Sequence, residues 1–195
     1  MEVHAQHLKT EGVKKQPRST RLRVMEIALF AMFGALMFLT KYLMQAIPNI
    51  HLLAMFIAAL TIVYRWKALI PLYVYIFIDG VVGGFAMWWI PYLYIWLTIW
   101  GAVMLVSPAL ERRQASPKAQ AGIYMLLCAL HGITFGAMYA PTQALMYGLS
   151  FKGMLAWIAA GLWFDAAHAA GNLAAGALVV PLATLLRRLG KVFKA

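Results

Sequence analysis

The chain has 195 residues, 64% of them hydrophobic and 12% charged, whereas a soluble domain is about half apolar and about a quarter charged. Apolar stretches recur from Val24 to Leu186, which excludes a single soluble core and makes a bilayer the natural solvent. The net charge of +11 sits at the ends of apolar runs and not along one amphipathic face, so it does not indicate nucleic acid.

Residues 1–23 are polar and basic, with Lys9, Lys14, Lys15, Arg18, Arg21 and Arg23. No small-residue cleavage pattern closes the apolar run that follows, and that run exceeds the about 7 to 15 residues of a signal-peptide core, so a cytoplasmic tail is expected. Breaks at charges, Pro and Gly predict helices over 24–46, 51–65, 68–86, 91–107, 121–147 and 153–186. The second is shorter than the roughly 20 residues that span a bilayer, and the sixth is long enough to tilt or project. Residues 187–195 form a second basic tail.

The expected fold class is an all-α integral membrane protein: a six-transmembrane-helix bundle over 24–186 with both termini cytoplasmic. With the N-terminus inside, fifteen of the seventeen Lys and Arg fall on the cytoplasmic side, against Lys41 and Lys152 elsewhere. That is a strong positive-inside signal, which an odd number of passes scrambles. No internal repeat is visible, so the inverted-repeat plan of many secondary carriers has no support. Cys128 is the only cysteine, which excludes an intrachain disulfide and any multi-cysteine metal site.

This topology gives each polar residue a depth. Lys41 and Gln45 fall at the outer end of the first helix, His51 at the start of the second, and Asp79 at the end of the third. A glycine-rich stretch, Gly80-Val81-Val82-Gly83-Gly84, leads to Trp88, Trp89 and Tyr92, while Tyr139, Thr142 and Gln143 lie in the outer half of the fifth helix. Asp165, His168 and Asn172, spaced i, i+3, i+7, share one face of the sixth. Ionisable side chains facing lipid cost a few kcal/mol, so Asp79, Asp165 and His168 are expected to face protein or a wet cavity. A channel or proton wire needs polar groups through the full depth, whereas an outer polar layer over an apolar inner half suits a blind pocket.

Each residue also has a plainer reading. Trp88, Trp89, Tyr92 and Tyr94 suit an interfacial aromatic belt as well as a pocket wall. Asp165 with His168 suits an internal ion pair as well as a substrate contact, and Trp96, Trp100, Trp157 and Tyr73 suit packing. His131 reads as a deeper, solitary core histidine. Ala28, Ala31 and Ala35 line one face of the first helix, Gly132 and Gly136 lead on to Ala140, and Ala166, Ala170 and Ala174 recur every fourth position. Such faces let helices approach closely in lipid. Within the fifth and sixth helices ordinary intramolecular packing is expected, while the first helix also suits a second subunit.

These segments together resemble the substrate-binding S component of energy-coupling-factor (ECF) vitamin transporters. The likeness covers nearly the whole length, and Ala31-Met32-Phe33-Gly34-Ala35 matches that family's alanine, three residues, alanine motif on the first helix. Ile47-Pro48-Asn49-Ile50-His51, the run from Trp88 to Trp96, and the run from Asp165 to Asn172 also look like segments of the group. The resemblance implies a non-enzymatic subunit of an ABC importer in a prokaryotic plasma membrane. It would capture a vitamin-type solute outside the cell and dock through Ala31 and Ala35 onto a transmembrane coupling subunit served by two cytoplasmic ATPases. The chain lacks a phosphate-binding loop, so ATP hydrolysis falls to the partners. The expected substrate contacts are Trp88, Trp89, Tyr92, Asp165, His168, Asn172, Asp79, Lys41, Gln45, His51 and Gln143, with no cofactor or metal. The rival readings are a metal-dependent intramembrane enzyme using Asp165, His168 and His131, and a stand-alone secondary carrier.

Overall fold

The computed structural model describes residues 18–47 and 49–192, which contain helices and no strand. Eight α-helices follow one another among these residues: α1 (Arg18–Met44), α2 (Leu53–Tyr64), α3 (Leu69–Gly83), α4 (Tyr92–Arg112), α5 (Pro117–Ile133), α6 (Phe135–Tyr147), α7 (Phe151–Gly176) and α8 (Val179–Val192). Short 3-10 turns occupy Arg65–Ala68 and Met87–Trp89. Among the described residues, four stretches are long and apolar enough to cross a membrane, or five if the bent pair α7 and α8 counts as one span. Leu105, Leu145 and Trp163 stand exposed on the outside, as a helical membrane protein with lipid for solvent allows. The expected tail residues Lys9, Lys14, Lys15 and Lys194 lie outside the described residues.

Two ion pairs show how the helices run. Lys67 meets Glu26 at 2.8 Å and Lys41 meets Asp79 at 2.6 Å, so α1 and α3 lie side by side and parallel. α2 runs the opposite way: the Phe30 and Tyr64 rings touch edge to face near Lys67, while His51, just before α2, lies among residues of the other end. Every residue of α2 from Leu53 to Thr61 is buried, which suits a helix that is apolar all round and surrounded by protein. At about 18 Å it is too short for a ~30 Å hydrocarbon core. The link before it therefore enters the bundle, with Ile50 against Gly171 of α7; non-helical backbone at such depth is tolerated where protein covers it.

The helix breaks follow from local chemistry. Pro108 of α4 has no N–H, so the Met104 carbonyl lacks its helical donor. Arg65 supplies one from its guanidinium at 3.0 Å, with Ser107 Oγ at 2.5 Å. The expected single helix 153–186 is instead two, because a continuous helix would drive the Pro181 ring into the Ala177 carbonyl; α8 leaves α7 at 45°. The expected helix 121–147 also breaks, at Thr134, whose hydroxyl bonds back to the Leu130 carbonyl at 2.7 Å. The helix expected over 68–86 ends at Gly83, and the chain turns at Gly84 with φ +83°.

α5 and α7 are antiparallel and nearly touch backbone to backbone. A Cβ on Gly132 would lie 2.7 Å from Ala169 Cα, and one on Gly176 2.6 Å from Met125 Cα. Packing of this kind was expected there, but Ala166, Ala170 and Ala174 have no part in it. They are exposed, rotated away from the buried Asp165, His168 and Asn172.

Candidate functional site

At the end of the bundle away from Arg65, Lys67 and Arg187, the aromatic residues of α4 and α6 meet the link before α2 and the inner face of α7. Lys41 opens this region. Its ammonium donates to both carboxylate oxygens of the buried Asp79, at 2.8 and 2.6 Å. It also lies 5.0 Å from the Tyr92 ring centre, 5.6 Å from Trp88 and 6.0 Å from Tyr75. The ammonium thus sits in an aromatic box closed by a carboxylate, an arrangement that stabilises a cation by ring quadrupoles and direct charge.

The segment after α3 is pinned on both sides. The Trp89 indole N–H donates to the Ile76 carbonyl at 2.8 Å, and the Tyr139 hydroxyl donates to the Trp88 carbonyl at 2.7 Å. Trp88 packs edge to face on Tyr92 at 5.7 Å, and Tyr92 packs on Trp96 at 5.8 Å. Trp89 is therefore committed to α3, while Trp88 and Tyr92 form the wall that leads inward.

Beneath that wall lie three histidines. His51 and His168 have ring centres 4.7 Å apart, and His131 lies 6.2 Å from His168. Trp96 touches two of them, at 5.6 Å from His51 and 5.2 Å from His131, and Phe135 closes the group at 4.9 Å from His168. His131 is not the solitary histidine its neighbours in sequence suggest. It is tied to Thr98 through Nδ1 at 3.0 Å and joins the cluster through its ring.

The cluster has a chemical peculiarity. Six buried side-chain atoms among the described residues have no hydrogen-bond partner: His51 Nδ1, Tyr75 OH, Trp96 Nε1, His131 Nε2, His168 Nε2 and Asn172 Oδ1. The first five belong to rings linked through Trp96 and His168, and Asn172 follows His168 by one helical turn on the same face. Its amide nitrogen donates to the Cys128 carbonyl at 3.2 Å, which leaves its oxygen free. An unmet buried polar group costs about 1 to 3 kcal/mol, and native folds pair nearly all of them. Six such atoms gather at this end of the bundle.

Asp165 has a different task. Its Oδ1 accepts the Gly136 amide at 3.0 Å, in the first turn of α6, where the break at Thr134 leaves N–H groups without helical acceptors. Asp165 and His168 form no ion pair among the described residues, contrary to one sequence expectation. The three proposed metal ligands do not converge either: Asp165 turns to α6, and no group of three His, Cys, Asp or Glu among the described residues is arranged to hold a metal.

Of the other expected contacts, Gln45 stands exposed beyond α1, and Gln143 is half-buried one turn past Tyr139 on α6. Ala31 and Ala35 are exposed on α1, while Gly34 between them is buried against Val74 of α3. The sequence reading gave Trp96 a packing role and did not single out Tyr75. For Trp96 a signal existed: it follows Tyr92 by four residues and so continues the same helical face. No protein-family model matches the chain, and no curated protein or solved structure does so either.

Proposed function

We propose that this chain is the solute-capturing S subunit of an ECF-type importer in a prokaryotic cell membrane. In this reading it crosses the membrane six times with both ends in the cytoplasm. α1, α3 and the pair α5 and α6 run outward, and α2, α4 and the pair α7 and α8 run inward. The short α2 and α3 count as separate passes because they run oppositely, although they read as one apolar stretch by composition. The basic residues at one end set the orientation, and the aromatic and histidine cluster then lies beneath the outer face.

The observation that carries the reading is the set of unmet buried polar atoms around Trp96 and His168. Ligand sites combine aromatic walls with a few directed polar groups, and groups that hydrogen-bond a solute on arrival keep their desolvation cost until it binds. A ring-bearing solute of vitamin type would pass Trp88 and Tyr92, stack on the aromatic walls and engage His51, His168 and Asn172. A partner coupling subunit would seat on the face of Ala31 and Ala35, and two ATPases would drive release inside.

The test is uptake together with identification of the bound solute. Mass spectrometry of small molecules released from purified protein should yield one ring compound in near-stoichiometric amount. Accumulation of that compound by cells should require a coupling subunit and its ATPases. Accumulation driven by an ion gradient in cells without those partners would replace this reading with a stand-alone carrier.

A further inference from the structure

The basic end of the bundle holds more cations than the protein itself neutralises. Of the carboxylates described there, Glu26 is taken by Lys67 and Glu111 by Arg187, each at 2.8 Å. Arg65 is turned to Ser107 and the Met104 carbonyl. Arg112, Arg113, Lys118 and Arg188 are exposed and have no ion pair among the described residues. They are also brought together: the Arg187–Glu111 bridge ties the end of α8 to the end of α4 across 76 positions. Arg188 follows one partner of that bridge and Arg112 follows the other, so the fold joins cations that the sequence keeps apart.

α8 supplies an apolar surface beside them. Val179, Ala183 and Leu186 are buried, on the side where α8 packs on α2 and α5. Leu178, Pro181, Leu185 and Leu189 are exposed and, at about 100° per residue, share an outward face with Arg188. A leucine stripe that ends at an arginine offers an acyl chain a seat and a phosphate a counter-charge. Trp66, exposed and stacked on Trp100 with ring centres 4.7 Å apart, lies at this same end, and Trp gathers where hydrocarbon meets headgroup.

We infer that the end of α8 and the turn between α4 and α5 form a site for an anionic phospholipid, its headgroup drawn to Arg112, Arg113 and Arg188 and an acyl chain lying along Leu185 and Leu178. The site goes beyond solute capture and needs only a chain embedded in a bilayer. An anionic headgroup fits because the local cations exceed the local carboxylates, whereas a zwitterionic one brings a further cation among them. A lipid fits better than an acidic protein segment because the apolar face runs on to the arginines without a break.

The test places the full chain in nanodiscs of equimolar phosphatidylglycerol and phosphatidylcholine and weighs the lipid that stays bound after transfer to detergent, by native mass spectrometry. Phosphatidylglycerol should be retained at least threefold over phosphatidylcholine. The triple variant Arg112→Gln, Arg113→Gln, Arg188→Gln should bring the two to parity, and Arg188→Gln alone should lower the preference at least twofold. Lys152→Gln, at the start of α7 and the opposite end, should leave it unchanged. In phosphatidylcholine alone the triple variant should unfold at the native temperature, and added phosphatidylglycerol should raise the unfolding temperature of the native chain only. Parity in the native chain, a preference indifferent to both arginine variants, or one lost equally in Lys152→Gln would overturn the inference. Parity together with binding of soluble polyglutamate would overturn it too, and would assign these arginines to an acidic protein partner.

Discussion

The Asp165 carboxylate accepts the Gly136 amide at 3.0 Å across the contact of α6 and α7, and the two residues leave each other no spare room. A Cβ on Gly136 would fall within contact distance of all three carboxyl atoms of Asp165. Asp165→Ala strands a donor at a helix start and should cost about 1 to 3 kcal/mol of stability; Asp165→Asn keeps an acceptor and should cost less. Gly136→Ala should destabilise by displacing the carboxylate. Thermal unfolding of the purified variants checks this. A Tm unchanged in Asp165→Ala beside a tenfold loss of solute affinity would instead make Asp165 a substrate contact.

Arg65 and Pro108 should be energetically coupled. Arg65 occupies φ +54°, an uncommon conformation for a side-chain-bearing residue, and from there it reaches the Met104 carbonyl that Pro108 leaves without a helical donor. Arg65→Ala should cost about 1 to 3 kcal/mol in the native background. In a Pro108→Ala background a backbone N–H returns four residues after Met104, and the cost should fall by about 1 kcal/mol. Additive losses in the cycle would mean that Arg65 acts through Ser107 alone.

Lys41 and Asp79 should respond unequally to removal of the partner. The Asp79 side chain is 7% exposed, whereas the Lys41 side chain keeps 26% exposure and three aromatic rings around its ammonium. Lys41→Met strands a buried carboxylate, while Asp79→Asn leaves the ammonium its rings and its water. The first should lower the unfolding temperature more, and the double variant should recover part of the loss. Equal effects of the two single changes would show that the aromatic box contributes nothing to holding the cation.

What the sequence made legible were features that one segment encodes alone. The face shared by Asp165, His168 and Asn172 follows from their spacing, and all three of its residues are buried. The rest depends on partners distant in sequence. His131 sits between Leu130 and Gly132, and its company with Trp96 and His168 arises from the pairing of α5 with α4 and α7. The four-residue alanine spacing of α7 identifies a stripe without saying which side it takes. Asp165, one residue before Ala166 and so about 100° around the helix, claims the inside. The break at Thr134 is stabilised by a carboxylate 29 positions away from Gly136, beyond the reach of any local pattern.

Close approach of α5 to α7 gives a prediction with an internal control. Gly132 faces the Ala169 backbone at 2.7 Å for any added Cβ, whereas Gly122 on the same helix has nothing within 4 Å. Gly132→Leu should force the helices apart and abolish a folded, monodisperse protein, because neither backbone can yield. Gly122→Leu should fold normally, and in lipid it exposes only another apolar side chain. Size-exclusion profiles of the two proteins decide the matter; comparable profiles would show that the contact adapts.

The last prediction separates capture from delivery. Ala31 and Ala35 are exposed on α1, while Phe30, Phe33 and Met37 turn inward and the cluster around His168 is built from the link before α2 and from α3, α4, α5 and α7. A bulky residue at either alanine therefore adds surface outside the bundle and leaves the cluster untouched. Under the proposed function, Ala31→Trp and Ala35→Trp should each reduce uptake at least tenfold in cells carrying the coupling subunit and ATPases, with solute affinity of the isolated protein changed less than twofold. The effect arises because small residues permit the backbone approach that helix association in lipid requires, where apolar burial supplies no net drive. Affinity falling in step with uptake would place these alanines in the fold's own packing, and uptake unaffected by either tryptophan would move the coupling contact to another face.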